Sequence, residues 1–275
     1  MELIGPLTDP RMHGGDPVDA FHLVLPSMPG YGFSGPTREK GWSMRRVAQA
    51  WAELMRRLGY ERYFAHGGDW GAGISRDLGI IDAGHVGGVH MTMLTTPPPK
   101  DAAEIAALSE PDKARLARLA VFQRDGIGYA MEQGTRPQTL AYGLTDSPAG
   151  QLAWIVEKFW EWTDHDQSPD DAVDRDLMLT NVTIYWLTQT GGSSARLYYE
   201  TAHSPRGWGA GPEPSTTPAG IAVFPKEIAP PVRSIAEKTN NIVQWSEFDR
   251  GGHFAAMEEP DLLLGDLRTF FRRFR

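Results

Sequence analysis

The stretch HGGDWG, residues 66–71, decides how this chain folds, because it sets an acid in a glycine-rich turn between two predicted elements. The apolar run YFA, residues 63–65, precedes the turn and predicts a buried strand, and a helical stretch follows from about Ala72. A strand, a tight turn with a reactive side chain and a helix form the pattern of a nucleophile elbow. Gly67 and Gly71 fit that pattern, because the neighbours of such a strained turn must not collide with the strand or the helix.

Asp69 occupies the position that serine usually takes in this pattern, and the acid determines the chemistry. A carboxylate attacks a carbon that bears a leaving group or belongs to a strained ring, and it forms an ester intermediate. Two simpler interpretations stay open at this point: Asp69 caps the following helix, or the glycines bind a nucleotide. The nucleotide interpretation is weak, because the spacing matches neither G-x-G-x-x-G nor G-x-x-x-x-G-K-[ST].

Elbow chemistry requires an acid and then a histidine later in the chain. Glu227 follows the predicted strand at residues 221–224 and is our choice for the acid. His253 lies in the loop DRGGHF, residues 249–254, after the last predicted strand and before the closing helix. Asp249 is the alternative acid, although it is close to His253 in sequence.

Strand and helix patterns alternate along the rest of the chain. Strands are predicted at residues 21–25, 63–65, 85–93, 221–224 and 242–245, and a helix is predicted to begin at Ser43. Such alternation is typical of a mostly parallel sheet with crossover helices. Between residues 101 and 203 every strong period is helical, with a helix start at Ser168, and a Gly/Pro/Ser-rich linker spans 204–220. We therefore expect an α/β core of residues 1–97 and 206–275, interrupted by a helical lid of residues 98–205.

Composition excludes several classes of function. The net charge is −8 and no basic stripe is present, so a nucleic-acid partner is not expected. The absence of cysteine excludes disulfides, cysteine nucleophiles and cysteine metal sites. The segment 164–166, Asp-His-Asp, is interpreted as a solvated loop rather than a metal site, and we expect neither metal nor cofactor. No apolar run reaches about 18 residues and no leader pattern opens the chain, which predicts a cytoplasmic protein without membrane contact.

Several stretches together resemble one family: PSMPGYGFS (26–34), HGGDWGA (66–72), FPKE (224–227) and GGHF (251–254). They are similar to epoxide hydrolases of the α/β-hydrolase fold, in the branch that contains the microsomal and juvenile-hormone enzymes. Segments of the predicted lid agree with that branch, namely TRPQT (135–139), GLTDSP (143–148), WEWTD (160–164) and SARLY (194–198). The resemblance covers nearly the whole chain.

The resemblance implies that the chain hydrolyses an epoxide to a vicinal diol through an ester on Asp69. Two tyrosines of the family's lid donate hydrogen bonds to the epoxide oxygen, and their motif positions fall on Tyr129 and Tyr198 here. A phenol in that place stabilises the developing alkoxide. Tyr199 is the alternative to Tyr198 if the alignment is wrong by one residue.

In the implied second step His253, oriented by Glu227, takes a proton from water, and the water attacks the ester. The backbone N–H of Trp70, the residue after the nucleophile, is expected to hold part of the oxyanion. Trp70, Trp154 and Trp186 are expected to line the pocket, which suggests a small apolar or aromatic epoxide as substrate, with water as the second reactant.

The sequence departs from the family's pattern before residue 21. The family carries further core strands and an HGxP-type loop that supplies a second oxyanion N–H, whereas HGGD at residues 13–16 precedes the first predicted strand and is interpreted as a surface turn. We therefore expect missing N-terminal strands and an exposed sheet edge that another chain or copy covers. A catalytically impaired truncated homologue and a haloalkane dehalogenase, which also uses an Asp followed by Trp, are the alternatives.

Overall fold

The computed structural model describes residues 1–207 and 213–275. Its sheet contains four parallel strands in the order β1-β2-β3-β4, namely β1 (Tyr63–Gly67), β2 (Val86–Met91), β3 (Ser215–Val223) and β4 (Asn240–Glu247). The predicted strands at 63–65, 85–93, 221–224 and 242–245 are confirmed within this sheet. Parallel strands joined through helices confirm the predicted α/β class.

Helices cover both faces of the sheet. The first three are α1 (Ile4–Thr8), α2 (Met44–Arg57) and α3 (Trp70–Ile81). Helices α2 and α3 pack with the sheet in one apolar cluster that includes Val47, Ile74 and Met91, all buried. Strand β2 is buried along nearly its whole length, because helices cover the sheet on both faces.

The end of the chain closes the opposite face. It contains α12 (Ala255–Glu258) and α13 (Pro260–Phe271), whereas α11 (Arg233–Ala236) places Ala236 in the same apolar cluster as α2 and α3. Leu263, Leu267 and Phe270 of α13 are fully buried against Phe224, which follows β3. These residues recur at helical spacing, so they lie on one face of α13, and that face packs on the sheet.

A run of helices joins β2 to β3. It consists of α4 (Ala102–Ala106), α5 (Glu110–Val121), α6 (Gly128–Thr135), α7 (Pro137–Asp146), α8 (Pro148–Trp162), α9 (Arg175–Thr188) and α10 (Gly191–Ala202). We call residues 102–202 the helical insert. The helix start predicted at Ser168 is confirmed, but the helix is a single 3-10 turn, Pro169–Asp171. The long helix α9 begins after Asp174, whose carboxylate accepts a hydrogen bond from the Leu177 N–H at 3.1 Å. Ser168 caps only that short turn, because Asp174 provides the cap for the long helix.

Two predictions about the core are corrected by the structure. Residues 21–25 do not join the sheet; Phe21 instead packs edge-on against Phe64 and Phe271, at 6.5 and 5.9 Å between ring centroids. Its apolar pattern thus reflects side-chain packing rather than strand pairing. The predicted linker is also shorter than 204–220, because pairing with β4 draws residues from Ser215 onward into β3, while residues 208–212 lie outside the described residues.

The HGGD segment is an exposed turn, as predicted. Gly14 adopts φ 70°, a left-handed conformation that closes a short 3-10 helix at Pro10–His13. No helix among the described residues combines the length and the apolar character that crossing a bilayer requires.

Candidate active site

Asp69 stands on a strained turn between β1 and α3. Its backbone has φ 49° and ψ −126°, which L residues rarely adopt. A Cβ atom at Gly67 would collide with the backbone of Gly71, and one at Gly68 would collide with the side chain of Thr92. Outside its chain neighbours and the backbone of its own helix, a Cβ at Gly71 would meet no described atom within 4 Å. The steric need for glycine therefore lies at positions 67 and 68, and the prediction for position 71 is wrong. Asp69 precedes α3 without making a side-chain capping bond, which removes the interpretation of this residue as a helix cap.

The structure brings Asp69 together with the predicted histidine and acid. His253 Nε2 lies 3.1 Å from Asp69 Oδ2, and His253 Nδ1 lies 2.7 Å from Glu227 Oε1. Glu227 is fully buried, whereas the alternative acid, Asp249, is exposed. An isolated bridge between Lys226 and Gly252 holds the loops of Glu227 and His253 side by side. Glu227, and not Asp249, is therefore the acid in hydrogen-bond contact with the imidazole.

Two carboxylates on opposite sides of one imidazole alter its protonation. Burial lowers the pKa of His253, but the charges and hydrogen bonds of Glu227 and Asp69 together outweigh burial and raise the pKa to about 10. The imidazole is therefore a cation while both neighbours are charged.

The raised pKa of His253 predicts how stability depends on pH. A group whose pKa is raised on folding stabilises the fold below its unfolded pKa, ordinarily 6.5, and loses that contribution as pH rises through the folded value of about 10. We expect the stability advantage of the native chain over His253→Gln to be constant below about pH 6.5 and to shrink as pH rises toward about 10. Denaturant unfolding of both proteins across that range measures it, and a difference that grows with pH would contradict the assignment.

A cavity of about 270 Å³ opens above Asp69. Its wall is mainly apolar and aromatic and includes Met28, Leu144, Trp154, Ile155, Phe159 and Phe254. Trp70 and Trp154 line this space as predicted, but Trp186 does not; on α9 the cavity is lined by Asn181 and Tyr185. A helix turns by about 100° per residue, so Trp186, one position beyond Tyr185, faces a different side.

Tyr129 and Tyr198 both line the cavity with Asp69. Their rings lie edge to face with centroids 6.0 Å apart, and Tyr198 packs against Trp70 at 4.8 Å. Burial and then the charge of Asp69 raise the pKa of both phenols, so both remain protonated donors. Tyr199, the alternative, stacks on His203 at 4.0 Å and is not among the residues that line the cavity.

The cavity wall also contains two tyrosines, Tyr31 and Tyr185, that are not among the predicted site residues. Tyr31 and Tyr185 lie edge to face at 6.3 Å, and Tyr31 Oη is buried without a hydrogen-bond partner among the described residues. Burial, followed by the charge of Asp69, raises the pKa of Tyr185 to about 12. Gly30 and Gly32, at φ 93° and 45°, flank Tyr31 and set the course of its loop, so the GYG triplet was the available signal.

Within the described residues no cluster of three or more His, Cys, Asp or Glu side chains could hold a metal ion. Asp164, from the acidic segment considered as a ligand set, instead accepts a hydrogen bond from the Gly251 N–H at 2.8 Å.

Comparisons with known proteins show what the whole chain is similar to. No family model matches the chain. It is 46% identical, over its full length, to a Stigmatella aurantiaca protein assigned by name to the epoxide hydrolases. It is also similar to the solved structures of Aspergillus niger epoxide hydrolase (33% identity, all of this chain and 69% of that one, TM-score 0.84) and Bombyx mori juvenile hormone epoxide hydrolase (31%, 100% and 68%, TM-score 0.88). The chain spans 61% of the length of the Stigmatella relative.

Proposed function

Because the chain belongs to the epoxide hydrolase family, we propose that it hydrolyses an epoxide to a vicinal diol through an ester on Asp69. The observation that carries the proposal is the contact of His253 with both Asp69 and Glu227, at 3.1 and 2.7 Å, below an aromatic cavity. A carboxylate nucleophile, an imidazole base and a second carboxylate that orients the base suit attack on a strained ring followed by hydrolysis of the ester.

Ring opening is the first step. An oxygen of Asp69 bonds to a ring carbon, the bond from that carbon to the epoxide oxygen breaks, and its electron pair moves to the oxygen. Tyr129 and Tyr198 donate hydrogen bonds to that oxygen, and one of them gives it a proton. Their raised phenol pKa values support this role, because the donors are protonated when the substrate binds.

Ester hydrolysis is the second step, and the first step prepares its base. Formation of the ester removes the charge of Asp69, one of the groups that raise the pKa of His253, and so favours the neutral imidazole. The imidazolium gives its proton to the tyrosinate that ring opening leaves. The neutral His253 then takes a proton from water, and the hydroxide adds to the ester carbonyl. The backbone N–H of Trp70, the first residue of α3, holds the oxyanion at the positive end of the helix dipole. The acyl bond breaks and the diol oxygen takes the proton from His253. Asp69 is then a carboxylic acid that carries the second proton of the water, and transfer of that proton to His253 restores the carboxylate and the imidazolium.

The helical insert completes the cavity. We propose that residues 98–205, which contain this insert, form a lid on a core of residues 1–97 and 206–275. Tyr129 on α6 and Tyr198 on α10 belong to this lid, so the substrate meets its nucleophile from the core and its proton donors from the lid. The apolar wall suits a small apolar or aromatic epoxide, with water as the second reactant. Cytoplasmic location and a covering partner at the sheet edge stay predictions.

Brief exposure of the protein to styrene oxide, followed by acid quench and mass spectrometry, tests the proposal. We expect the proteolytic peptide that contains Asp69 to gain the mass of the epoxide, and styrene glycol to accumulate on longer incubation. Diol formation without any adduct on that peptide would contradict the mechanism. Halide release from a chloroalkane, with no diol from epoxides, would favour a haloalkane dehalogenase instead.

The paired phenols give a prediction about the first step alone. Tyr129→Phe or Tyr198→Phe each leaves one donor, so we expect each to slow ester formation about tenfold to a hundredfold, and the double variant to slow it about a thousandfold or more. Single-turnover mixing with styrene oxide measures the rate. Tyr199→Phe is the control, since Tyr199 does not line the cavity and should leave the rate unchanged. A double variant as fast as either single variant would contradict the shared role.

A further inference from the structure

The loop that carries His253 is attached to the helical insert through its backbone. The His253 N–H donates to the carbonyl oxygen of Trp162, the last residue of α8, at 2.9 Å. Two residues earlier, the Gly251 N–H donates to Oδ2 of Asp164 at 2.8 Å. The base of the site is therefore hydrogen-bonded to the insert as well as to the core.

Glu258, the last residue of α12, joins the same two segments from the other side. Its Oε2 accepts a hydrogen bond from the Asp164 N–H, and its Oε1 accepts one from the Phe254 N–H, each at 2.8 Å. Burial raises the pKa of Glu258, while the backbone donors oppose that rise. A half-buried carboxylate that accepts charge-assisted bonds from two segments holds them at a fixed separation.

Close packing supports the same attachment. Phe159 of α8 stacks on Phe254 at 4.5 Å between ring centroids, and Trp162 packs edge to face on the imidazole of His253 at 5.1 Å. A Cβ at Gly252 would collide with the carbonyl oxygen of Trp162, so glycine permits the approach of the two backbones.

We infer that Glu258 and Asp164 are positioning residues that fix His253 relative to the helical insert, and that they serve ester hydrolysis rather than ring opening. The inference rests on the proposed function. Ring opening needs the carboxylate of Asp69 and the phenols, whereas hydrolysis also needs the Nε2 of His253 to be aimed at a water beside the ester. Glu227 orients the ring through Nδ1, and Glu258 fixes the backbone from which the ring projects.

Glu258→Gln and Asp164→Ala test this role, the first while keeping the shape of the side chain and the second by removing the acceptor. In Glu258→Gln the amide oxygen still accepts one N–H, but the amide nitrogen cannot accept the second, so one of the two segments is released. Glu259→Gln is the matched control, because among the described residues the side chain of the neighbouring Glu259 hydrogen-bonds only to Arg250, at 2.7 Å. After rapid mixing with styrene oxide and acid quench, the adduct on the Asp69 peptide reports both rates. Each variant should slow ester hydrolysis about tenfold or more, leave ester formation within about twofold and raise the steady-state fraction of ester.

Equal slowing of both steps, or unchanged hydrolysis in Glu258→Gln, would overturn the inference. The rates are measured on the alkylated fraction only, so unfolded protein does not contribute. Failure of the proposed function is distinguishable, because the native chain would then form no adduct. If the native chain forms no adduct, the positioning role is tested without substrate by NMR. The signals of the His253 imidazole should shift in Glu258→Gln and stay in place in Glu259→Gln. Unmoved signals in Glu258→Gln would also overturn the positioning role.

Discussion

Asp69→Ala should reduce diol formation by a factor on the order of 10⁴ or more, because it removes the only atom that forms a bond to the substrate carbon in the proposed mechanism. The tyrosines still bind the epoxide oxygen, but polarisation without a nucleophile does not open the ring productively. The substitution also removes one of the two carboxylates beside His253, so the pKa of that imidazole should fall.

Two measurements check the Asp69→Ala prediction. Steady-state assays of diol give the loss of activity, and mass spectrometry should find no adduct on the peptide that contains residue 69. Circular dichroism and thermal unfolding serve as the control for folding, since the side chain of Asp69 makes no capping bond to α3. Residual activity above about one hundredth of the native rate would show that another group attacks the ring.

His253→Gln should separate the two steps. Ester formation should proceed at a rate close to that of the native chain, whereas hydrolysis should slow by a factor on the order of 10³ because its general base is missing. The variant should therefore consume one equivalent of epoxide and then stop, with the ester retained on Asp69. Intact-protein mass spectrometry would detect the retained ester directly.

The controls for His253→Gln follow from the geometry of the acids. Glu227→Gln keeps the imidazole but loses a charged partner at 2.7 Å, so its ester should hydrolyse at a rate between the native and His253→Gln values. Asp249→Asn should behave as the native chain, since Asp249 is exposed. Slow ester formation in His253→Gln, with no accumulation, would assign the histidine to the first step instead.

The sequence alone predicts the reactive centre well, because the chain order of elements constrains it. Asp69, Glu227 and His253 each follow a predicted strand, and parallel strands end at one edge of a sheet, so their meeting follows from topology. The apolar and helical periods similarly predict the strands of the sheet and the helical insert between β2 and β3.

The cavity wall is harder to predict, because it depends on rotation and packing rather than order. Trp186 and Tyr185 are adjacent, yet only Tyr185 lines the cavity, and no period of α9 reveals which face turns inward. The strand predicted at residues 21–25 is wrong for a related reason. An apolar run indicates burial, but strand pairing also needs a neighbouring strand. The contact between Glu258 and Asp164 joins positions 94 residues apart and has no motif of its own.

The contact between His253 and Asp69 spans 184 positions in the chain, and Met91 of β2 pairs with Ile221 of β3 across the entire insert. Doubling the length of a closed loop costs only about 0.6 kcal/mol, so the fold tolerates such a long interruption at equilibrium. Non-local pairing is nevertheless slow to form. During refolding from denaturant, helical circular dichroism should therefore recover well before catalytic competence does, since competence must wait for the last long-range strand pairing.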